Sequence, residues 1–302
     1  MTIPHISADQ LHTLVTPARA IEALTVRLRT DPPRVDRPSR SFIKTNVGEL
    51  LVMPDESITA VGLKLVSIAR GNPAVGLPSI QGIYLLMDAD TLTPRAILDA
   101  AALTCIRTSA VSLMAIGQLN PPPRPDVTVI GSGPQALAHI RAASVLEPTT
   151  IGVVARNPVT YGQIQTQALA EGIHTVRAAM SDLSTSDIVI CCTTAREPIL
   201  YREQVGNDVI VVAIGSHEPS VRELATDLLS DAFVVVESEQ NARREAGDVI
   251  LAEAELGRSV IDTDLQQLVG GTAPTSGVRV FKSTGDAWED LTIAEAALSA
   301  LA

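Results

Sequence analysis

A short segment in the middle of the chain restricts the possible folds more than any other feature. Residues 127–130 read Val-Thr-Val-Ile, which is typical of a buried strand, and residues 136–143 have the composition of a helix. Between them, Gly131, Gly133 and Ala136 form a G-x-G-x-x-A turn. Gly131 would permit the tight turn, Gly133 would let the backbone approach a pyrophosphate, and Ala136 would allow close helix–strand packing. The segment predicts a dinucleotide-binding strand–turn–helix unit; the alternative is a glycine-rich turn without a ligand.

The identity of the dinucleotide can be approached from the next predicted strand. The turn itself supplies the candidate nucleotide-binding residues Gly131, Ser132, Gly133, Gln135 and Ala136. In this fold an acidic residue about 20 positions after the glycines binds the ribose 2′-hydroxyl of NAD. Here residues 151–155 are followed by Arg156 and Asn157, with no carboxylate. Arg156 could pair with a 2′-phosphate and Asn157 could donate to it, which favours NADP(H), with NAD(H) possible. The alternative for Arg156 is an ordinary solvated loop residue.

Two different patterns of strand-like segments indicate two domains in the 302 residues. The first group has turn signals but no helices between its members, at residues 41–45, 49–53, 60–69 and 82–87. That pattern predicts an antiparallel or mixed sheet. The second group alternates with helical or loop segments, at residues 127–131, 151–155, 175–179, 187–192, 208–214 and 233–236. This alternation is typical of βαβ units and a parallel, Rossmann-type sheet.

Helical patterns occur near both ends of the chain and before a proline-rich linker. Helices are predicted over residues 7–14, 16–28, 93–118 and 292–301. Thr16 is placed as an N-cap, and Thr292 with Glu295 has capping-box spacing. Residues 31–40 hold three prolines and are predicted to be irregular. Prolines between residues 121 and 125 form a stiff linker, which is the best domain boundary in the chain.

Composition argues against several classes of function. The net charge is −11 and aromatic residues make up 2%, so neither a basic nucleic-acid surface nor base-stacking platforms are expected. No apolar run of about 18 residues lacks a charge or turn former, so no membrane span is expected. The first residues have no signal-peptide pattern, which makes a cytoplasmic location the default expectation. Cysteine and histidine residues do not have metal-ligand spacing, so no metal site is expected.

Two cations stand in apolar surroundings. Arg107 lies in a helical segment that is apolar around most of its circumference, and no carboxylate occurs three or four residues away. A buried guanidinium requires a partner, which would be either a substrate carboxylate or a distant acid of the protein. Lys64 is the only charge in the strand-like segment 58–68. Burial would lower its pKa and suit it to proton donation, whereas a side chain that reaches solvent is the alternative.

Segments spread along the chain match a known family. They are Arg40, Met53-Pro54, Gly62–Val66, Asn72 with Gly76–Pro78, Leu103–Ala110, the Gly131 turn with Gln135-Ala136, Ala195–Pro198, Gly215-Ser216 with Glu223-Leu224, Glu245–Gly247, Lys282-Ser283 with Gly285, and Glu289–Leu291. The chain resembles the ornithine cyclodeaminase/mu-crystallin family of NAD(P)-dependent enzymes. The Arg-Thr-x-Ala motif of the fifth segment, just before the nucleotide fingerprint, is its most specific element.

The resemblance implies an architecture and roles for particular residues. It implies a homodimer whose strand-rich α+β substrate and dimerisation domain, residues 1–120, is rejoined by residues 282–302, with a Rossmann-type domain over residues 121–281. Arg40, which the residues alone would leave as a solvated side chain, would bind a substrate α-carboxylate together with Arg107. Lys64 would contact the same group and could supply or remove a proton. Further nucleotide-binding candidates are Thr193, Gly215 and Gly285.

One departure from the family pattern bears on the reaction. Cyclodeaminases carry an aspartate shortly after the glycine that corresponds to Gly215, and here His217 stands at that position. Imidazole does not offer a permanent negative charge to a substrate ammonium, so His217 would be a polar wall or proton relay, or a loop residue without chemistry. We therefore expect an NAD(P)H-dependent reductase of imino acids, such as pyrroline- or piperideine-2-carboxylate, or the reverse amino-acid dehydrogenase. A cyclodeaminase of ornithine or lysine and a non-catalytic nucleotide-binding protein are the alternatives.

Overall fold

The computed structural model describes residues 3–33 and 40–301, so residues 34–39 of the predicted irregular segment lie outside the described residues. The chain forms two compact units, Met1–Val111 with Asp286–Ala302, and Ser112–Gly285. The domain boundaries predicted after residues 120 and 281 stay predictions. The structure has the α/β class expected from the sequence.

The first unit contains a six-stranded mixed sheet with the spatial order β1, β6, β5, β4, β3, β2. Its strands are β1 (His5–Ile6), β2 (Ser41–Lys44), β3 (Glu49–Glu56), β4 (Ala60–Ile68), β5 (Ile80–Asp88) and β6 (Pro94–Asp99). β1 pairs with β6 in parallel, and the other neighbours are antiparallel. The mixed sheet predicted from the first group of segments is therefore confirmed.

Three helices of the first unit pack beside this sheet and one another. They are α1 (Ala8–Leu14), α2 (Pro17–Thr30) and α10 (Ala287–Leu301), and α10 contacts β3, β4 and β5. Side chains alternate across a strand, so Gly62, Lys64 and Val66 share the face that α10 covers. A Cβ atom at Gly62 would lie 1.8 Å from the Tyr84 hydroxyl, so glycine leaves the space that this neighbouring side chain fills. Thr16 is the N-cap of α2, as predicted.

Two predicted helices begin at different residues in the structure. Residues 94–99 form β6 instead of the start of a long helix, because they pair with β5 on one side and β1 on the other. Helix α3 (Ala100–Gln118) follows, and Asp99 accepts a hydrogen bond from the Ala102 amide. At the other end of the chain α10 starts at Ala287, so Thr292 is inside the helix and its hydroxyl donates to the Trp288 carbonyl. The predicted cap at Thr292 is therefore wrong.

The second unit contains an eight-stranded parallel sheet with the order β13, β12, β14, β11, β10, β7, β8, β9. Its strands are β7 (Asp126–Ile130), β8 (Thr150–Val154), β9 (Val176–Arg177), β10 (Ile188–Cys191), β11 (Val209–Ala213), β12 (Ala232–Val236), β13 (Thr263–Asp264) and β14 (Val278–Lys282). Its helices after α3 are α4 (Pro134–Ala143), α5 (Pro158–Ala170), α6 (Thr226–Ser230), α7 (Glu239–Glu245), α8 (Gly247–Leu256) and α9 (Leu265–Gly270). The predicted Rossmann-type sheet is confirmed.

Strand β14 was not among the predicted strands, although it lies between β11 and β12. Its sequence, Val-Arg-Val-Phe-Lys, contains two cationic residues. It therefore lacks the continuous apolar pattern that predicts a fully buried strand, although all five residues are buried. Arg279 donates to the Leu119 and Asn120 carbonyls and pairs with Asp208. Lys282 is 1% exposed and has its partners inside the second unit.

Helix α3 is the one helix within residues 3–33 and 40–301 that is long and apolar enough to cross a membrane. However, 78% of its apolar window is buried in the protein. That burial is typical of the core helix of a folded domain, which is apolar on all sides because protein surrounds it.

Candidate active site

The predicted nucleotide turn forms between β7 and α4. Gly131 has a φ of +136°, its amide donates to the Val154 carbonyl at 2.9 Å, and a Cβ atom there would lie 2.5 Å from the Cys192 carbonyl oxygen. Only glycine fits this position without strain. The tight turn expected of Gly131 is therefore present and leads the chain from the carboxyl end of β7 into α4.

The start of α4 has the features that an anionic ligand needs. Gly133 is the N-cap of α4, has no side chain to cap the helix, and faces open space where a Cβ atom would be. Ala136 is fully buried, which agrees with close helix–strand packing. The Oε1 atom of Gln135 is buried and has no hydrogen-bond donor among the described residues. Backbone amides at a helix N-terminus can bind an anion, and the Gln135 Oε1 atom can accept a hydrogen bond. Together they fit a bound dinucleotide.

The loop after β8 contains the other predicted nucleotide-binding residues. The hydroxyls of Ser132 in the glycine turn and Thr160 in the first turn of α5 are 2.8 Å apart. The Oδ1 atom of Asn157 accepts from the Val159 amide and caps α5, so only its amide nitrogen could serve the predicted donation. Arg156 is exposed at the carboxyl end of β8, where the sequence has no carboxylate. This arrangement keeps Arg156 accessible to a phosphate.

A buried carboxylate connects the loops that follow β10 and β11. The Oε1 atom of Glu223 accepts from the amide and hydroxyl of Thr193, at 2.8 and 2.7 Å, and Oε2 accepts from the Gly215 amide at 2.7 Å. Glu223 is fully buried, and that burial raises its pKa, although the positive charge of Lys282 opposes the shift. Thr193 and Gly215, both predicted nucleotide-binding residues, are thus tied to one side chain.

A second carboxylate extends this network to β14. Asp248 accepts from the amides of Glu223 and Leu224 and from the Ser216 hydroxyl, and lies 3.0 Å from the Lys282 ammonium. Burial acts to raise the pKa of Asp248, but Lys282 and these hydrogen bonds outweigh it and hold the pKa below the ordinary value. Sequence reasoning noted Glu223 and Lys282 only as part of a family pattern and gave Asp248 no role.

Gly285 follows β14, and His217 lies in the loop after β11, two residues past Gly215. The Gly285 amide donates to Glu237 at 2.5 Å, and its φ of +80° is one that glycine adopts readily. His217 is an exposed residue in the loop after β11, next to the buried Ser216. Their predicted roles, in nucleotide binding and in polar contact with substrate, stay predictions.

In the first unit the structure brings Lys64 to the first turn of α10. The Lys64 ammonium donates to both carboxylate oxygens of Asp290, at 3.1 and 3.0 Å. The side chain is 2% exposed, so it does not reach solvent. Burial lowers the pKa of Lys64 to about 8; Asp290 raises it, and the charges of Arg107 and Arg40 lower it further. Lys64 is thus an ammonium that can release its proton near neutral pH.

Arg107 reaches the same turn of α10. Its Nη1 donates to Glu289 at 2.7 Å, and its Nε is 3.5 Å from Asp290. The sequence left two possible partners for Arg107, a substrate carboxylate or a distant acid of the protein. In the structure its partners are distant acids of the protein. Nη2 makes no hydrogen bond to any of the described residues, and the arginine keeps 6% of its surface exposed. One edge of the guanidinium is therefore fixed by the protein while the other retains its donors.

Arg40 and Asp286 complete a cluster of three cations and three carboxylates. The charge of Arg40 acts on the pKa of both Lys64 and Asp286, so Arg40 lies within electrostatic range of the two. Burial raises the pKa of Asp286, while the Ala287 amide, Arg40 and Arg107 oppose that shift. Arg40 is half-buried rather than solvated. Sequence reasoning gave no role to these three carboxylates, Asp286 just before α10 and Glu289 and Asp290 in its first turn, and the available signal was the pair of adjacent acids in an apolar helix.

No group of three or more potential ligands among the described histidine, cysteine, aspartate and glutamate residues is arranged to hold a metal ion.

Comparisons with known proteins show which family the chain resembles. The model of the ornithine cyclodeaminase/mu-crystallin family matches residues 8–299. Delta(1)-pyrroline-2-carboxylate reductase 1 of Burkholderia multivorans is 32% identical over 264 residues, which cover 84% of this chain and 81% of that protein. The ketimine reductase mu-crystallin of Mus musculus is 32% identical over 254 residues, which cover 82% of this chain and 79% of that protein.

A solved structure extends the similarity over the whole chain. The Delta(1)-pyrroline-2-carboxylate reductase of Thermococcus litoralis, in complex with NADH and L-proline, superposes with a TM-score of 0.88 and 26% identity. The alignment covers 99% of this chain and 97% of that one. With the family model matched across nearly its full length, the chain belongs to the ornithine cyclodeaminase/mu-crystallin family.

Proposed function

We propose that the chain is an oxidoreductase that reduces the C=N bond of small cyclic imino acids, such as pyrroline- or piperideine-2-carboxylate, with NAD(P)H. The reaction adds a hydride to the imine carbon and a proton to the nitrogen, and yields an amino acid and the oxidised nucleotide. The observation that carries the proposal is the cluster of Arg40, Lys64 and Arg107, in which one buried lysine has a pKa of about 8. Curated relatives with these two substrates in their names support it.

The residues of the second unit fit a nicotinamide dinucleotide. The turn at Gly131, the uncapped start of α4 and the buried acceptor of Gln135 would hold its pyrophosphate and neighbouring groups. When bound, the reduced nucleotide supplies the hydride. The NADH complex of the Thermococcus litoralis reductase supports this cofactor class.

Two arginines of the first unit would bind the substrate carboxylate. Glu289 fixes one edge of the Arg107 guanidinium, so the hydrogens of Nη2 are held in place to donate to an incoming carboxylate. Arg40 would contribute a second charge to the same anion. A pre-oriented guanidinium loses little entropy on binding and fixes the substrate in one orientation, which is how positioning accelerates a reaction.

Lys64 would deliver the proton. Asp290 holds the ammonium with two hydrogen bonds, and burial brings the pKa close to the working pH, which is the condition for effective general acid catalysis. The conjugate base would be reprotonated by solvent after each cycle. His217 in place of an aspartate weighs against ornithine cyclisation as the reaction.

We also propose NADP(H) as the preferred form of the nucleotide. Arg156 is exposed at the carboxyl end of β8, and no acidic residue follows that strand to bind a ribose 2′-hydroxyl. A 2′-phosphate would gain an ion pair there, and NADH would gain nothing comparable.

A homodimer is proposed from the second face of the six-stranded sheet. This face, opposite α10, is apolar and partly exposed on neighbouring strands. Its side chains include Ile43, Val61, Leu63, Leu65, Ile83, Leu85, Met87 and Ile97. A largely apolar face of this kind can be self-complementary across a two-fold axis, and a second copy would cover it. The cytoplasmic location expected from the sequence stays a prediction.

The central test removes the carboxylate-binding cation without leaving a buried charge. We expect the double variant Arg107→Gln/Glu289→Gln to lose about 1000-fold in kcat/KM for pyrroline-2-carboxylate and to bind NADPH normally, because only the substrate contact is lost. NADPH oxidation followed by absorbance, and NADPH affinity measured by fluorescence, check the two halves. Arg95→Gln, an exposed arginine of the same unit, is the matched control and should retain full activity. Unchanged turnover in the double variant contradicts the proposed site.

A pH profile tests the role of Lys64. The ammonium is the donor form and exists below its pKa, so kcat/KM for imine reduction should be constant at low pH and fall about tenfold per unit above the pKa of about 8. In Lys64→Arg the guanidinium stays protonated, and this decline should disappear even though the remaining rate is lower. A decline that persists unchanged in Lys64→Arg would assign it to the substrate.

Nucleotide choice is tested at Arg156. The Arg156→Ala variant should raise the KM for NADPH about 10- to 100-fold, because the 2′-phosphate loses its ion pair, and leave the KM for NADH within about twofold. Initial rates with both nucleotides measure this. Arg258→Ala, an exposed arginine elsewhere in the second unit, serves as control. Equal effects on both nucleotides would argue against NADP(H) recognition by this residue.

Analytical ultracentrifugation tests the dimer. We expect Ile83→Glu to raise the dimer dissociation constant by at least about 100-fold, because a charge would be buried in an apolar interface. The control Ile58→Glu changes a 77% exposed side chain in the turn after β3, off the proposed face, and should remain dimeric. A monomeric wild-type protein, or a dimeric Ile83→Glu, contradicts the proposal.

A further inference from the structure

Glu223 is a buried carboxylate for which the proposed reaction has no use. Its two oxygens accept three hydrogen bonds, from the Thr193 amide and hydroxyl and from the Gly215 amide. Each of these residues lies two positions past the end of a strand of the parallel sheet, Thr193 after β10 and Gly215 after β11. Because every contact donates to it and both oxygens accept, the geometry is that of an ionised carboxylate.

The network around Glu223 carries a net negative charge. Lys282 contributes one positive charge, and Asp248 and Glu223 contribute two negative charges. All three side chains are at most 1% exposed, so water screens their charges weakly. The thiol of the neighbouring Cys191 responds to the field: its pKa is raised well above the ordinary value, mainly by burial and next by the charge of Glu223.

The strand order relates this charge to one half of a bound dinucleotide. Dinucleotides bind outside the carboxyl ends of the strands, with the pyrophosphate at the glycine turn that follows β7. The adenosine half lies toward the second strand of the fold, which is β8 here, so the nicotinamide half would lie toward β10 and β11. The loops that end those two strands are the ones that Glu223 joins.

We infer that Glu223 favours the oxidised over the reduced nicotinamide, and that it does so by charge in addition to positioning the two loops. This inference rests on the proposed function. The oxidised ring carries a positive charge and the reduced ring is neutral, so a fixed negative charge stabilises one form only. A residue that stabilises the oxidised form also stabilises the charge that develops on the ring as hydride leaves, and so favours imine reduction.

The test compares binding of NADP+ and NADPH in the absence of imine. We expect Glu223→Gln to weaken both nucleotides through the loops and to weaken NADP+ about tenfold more, measured by NADPH fluorescence and displacement with NADP+. Thr193→Val removes one donor to Glu223 and keeps its charge, so both affinities should fall by the same factor. Glu223→Asp keeps the charge and should restore the wild-type ratio of affinities.

A ratio in Glu223→Gln within twofold of the wild-type value overturns the inference and leaves the proposed function intact. Failure of the wild-type protein to bind either nucleotide overturns both. A change of ratio in Thr193→Val equal to that in Glu223→Gln would assign the effect to loop position and overturn the role of charge.

If Glu223→Gln does not fold, the Lys64→Arg variant provides the same comparison as the pH is lowered from about 8, because the wild-type Lys64, with a pKa of about 8, would itself gain charge. Burial raises the pKa of Glu223, so its protonation at falling pH should weaken NADP+ relative to NADPH. The other titratable groups that act on Glu223 are Asp248 from α8, Lys282 from β14 and Cys191 from β10. Asp248 has a lowered pKa and Cys191 a raised one, so neither takes up a proton before Glu223 does as the pH falls, and a ratio that stays constant down to the pH at which the protein unfolds overturns the inference.

Discussion

Two ion pairs between the first turn of α10 and buried cations hold the first unit and its candidate site together. Lys64 pairs with Asp290, and Arg107 pairs with Glu289. Their side chains are nearly or fully buried, so each charge requires the opposite one to remain in place. Buried pairs of this kind add little net stability over apolar residues, but removal of a single partner is strongly destabilising. Their contribution is to fix two cations at a defined position.

The same pairs explain how a cation can be both partnered and reactive. Two oxygens of Asp290 hold Lys64, while burial and two neighbouring arginines keep its pKa near 8. Glu289 occupies one edge of Arg107 and leaves the donors of Nη2 to a substrate. In each pair, an acid of the protein orients the cation but leaves it able to act on a substrate, Lys64 by releasing its proton and Arg107 by donating from Nη2. Glu223 has the corresponding place in the second unit, since it orients two loops through backbone amides.

Much of the fold followed from the sequence because local signals and tertiary contacts agree there. The turn at Gly131, the Thr16 cap and the alternation of β4 each reflect a short-range constraint, and all three are present. The predictions of secondary structure fail where contacts between residues distant in the chain outweigh the local sequence pattern. Residues 94–99 form a strand because β1 and β5 supply partners on both sides, and β14 is a strand in spite of two cations that find acceptors elsewhere in the chain.

The sequence by itself determined that Lys64 and Arg107 lie in apolar elements and that a glycine turn separates a strand from a helix. It could not determine what neutralises those cations, because Asp290 and Glu289 are more than 180 residues away from them in the chain. The start of α10 decides this, and it was predicted five residues too late, at Thr292 instead of Ala287. Only the packing of α10 on the sheet brings Asp290 next to Lys64 and Glu289 next to Arg107. Charge pairing depends on distance in space, whereas the sequence records only order along the chain.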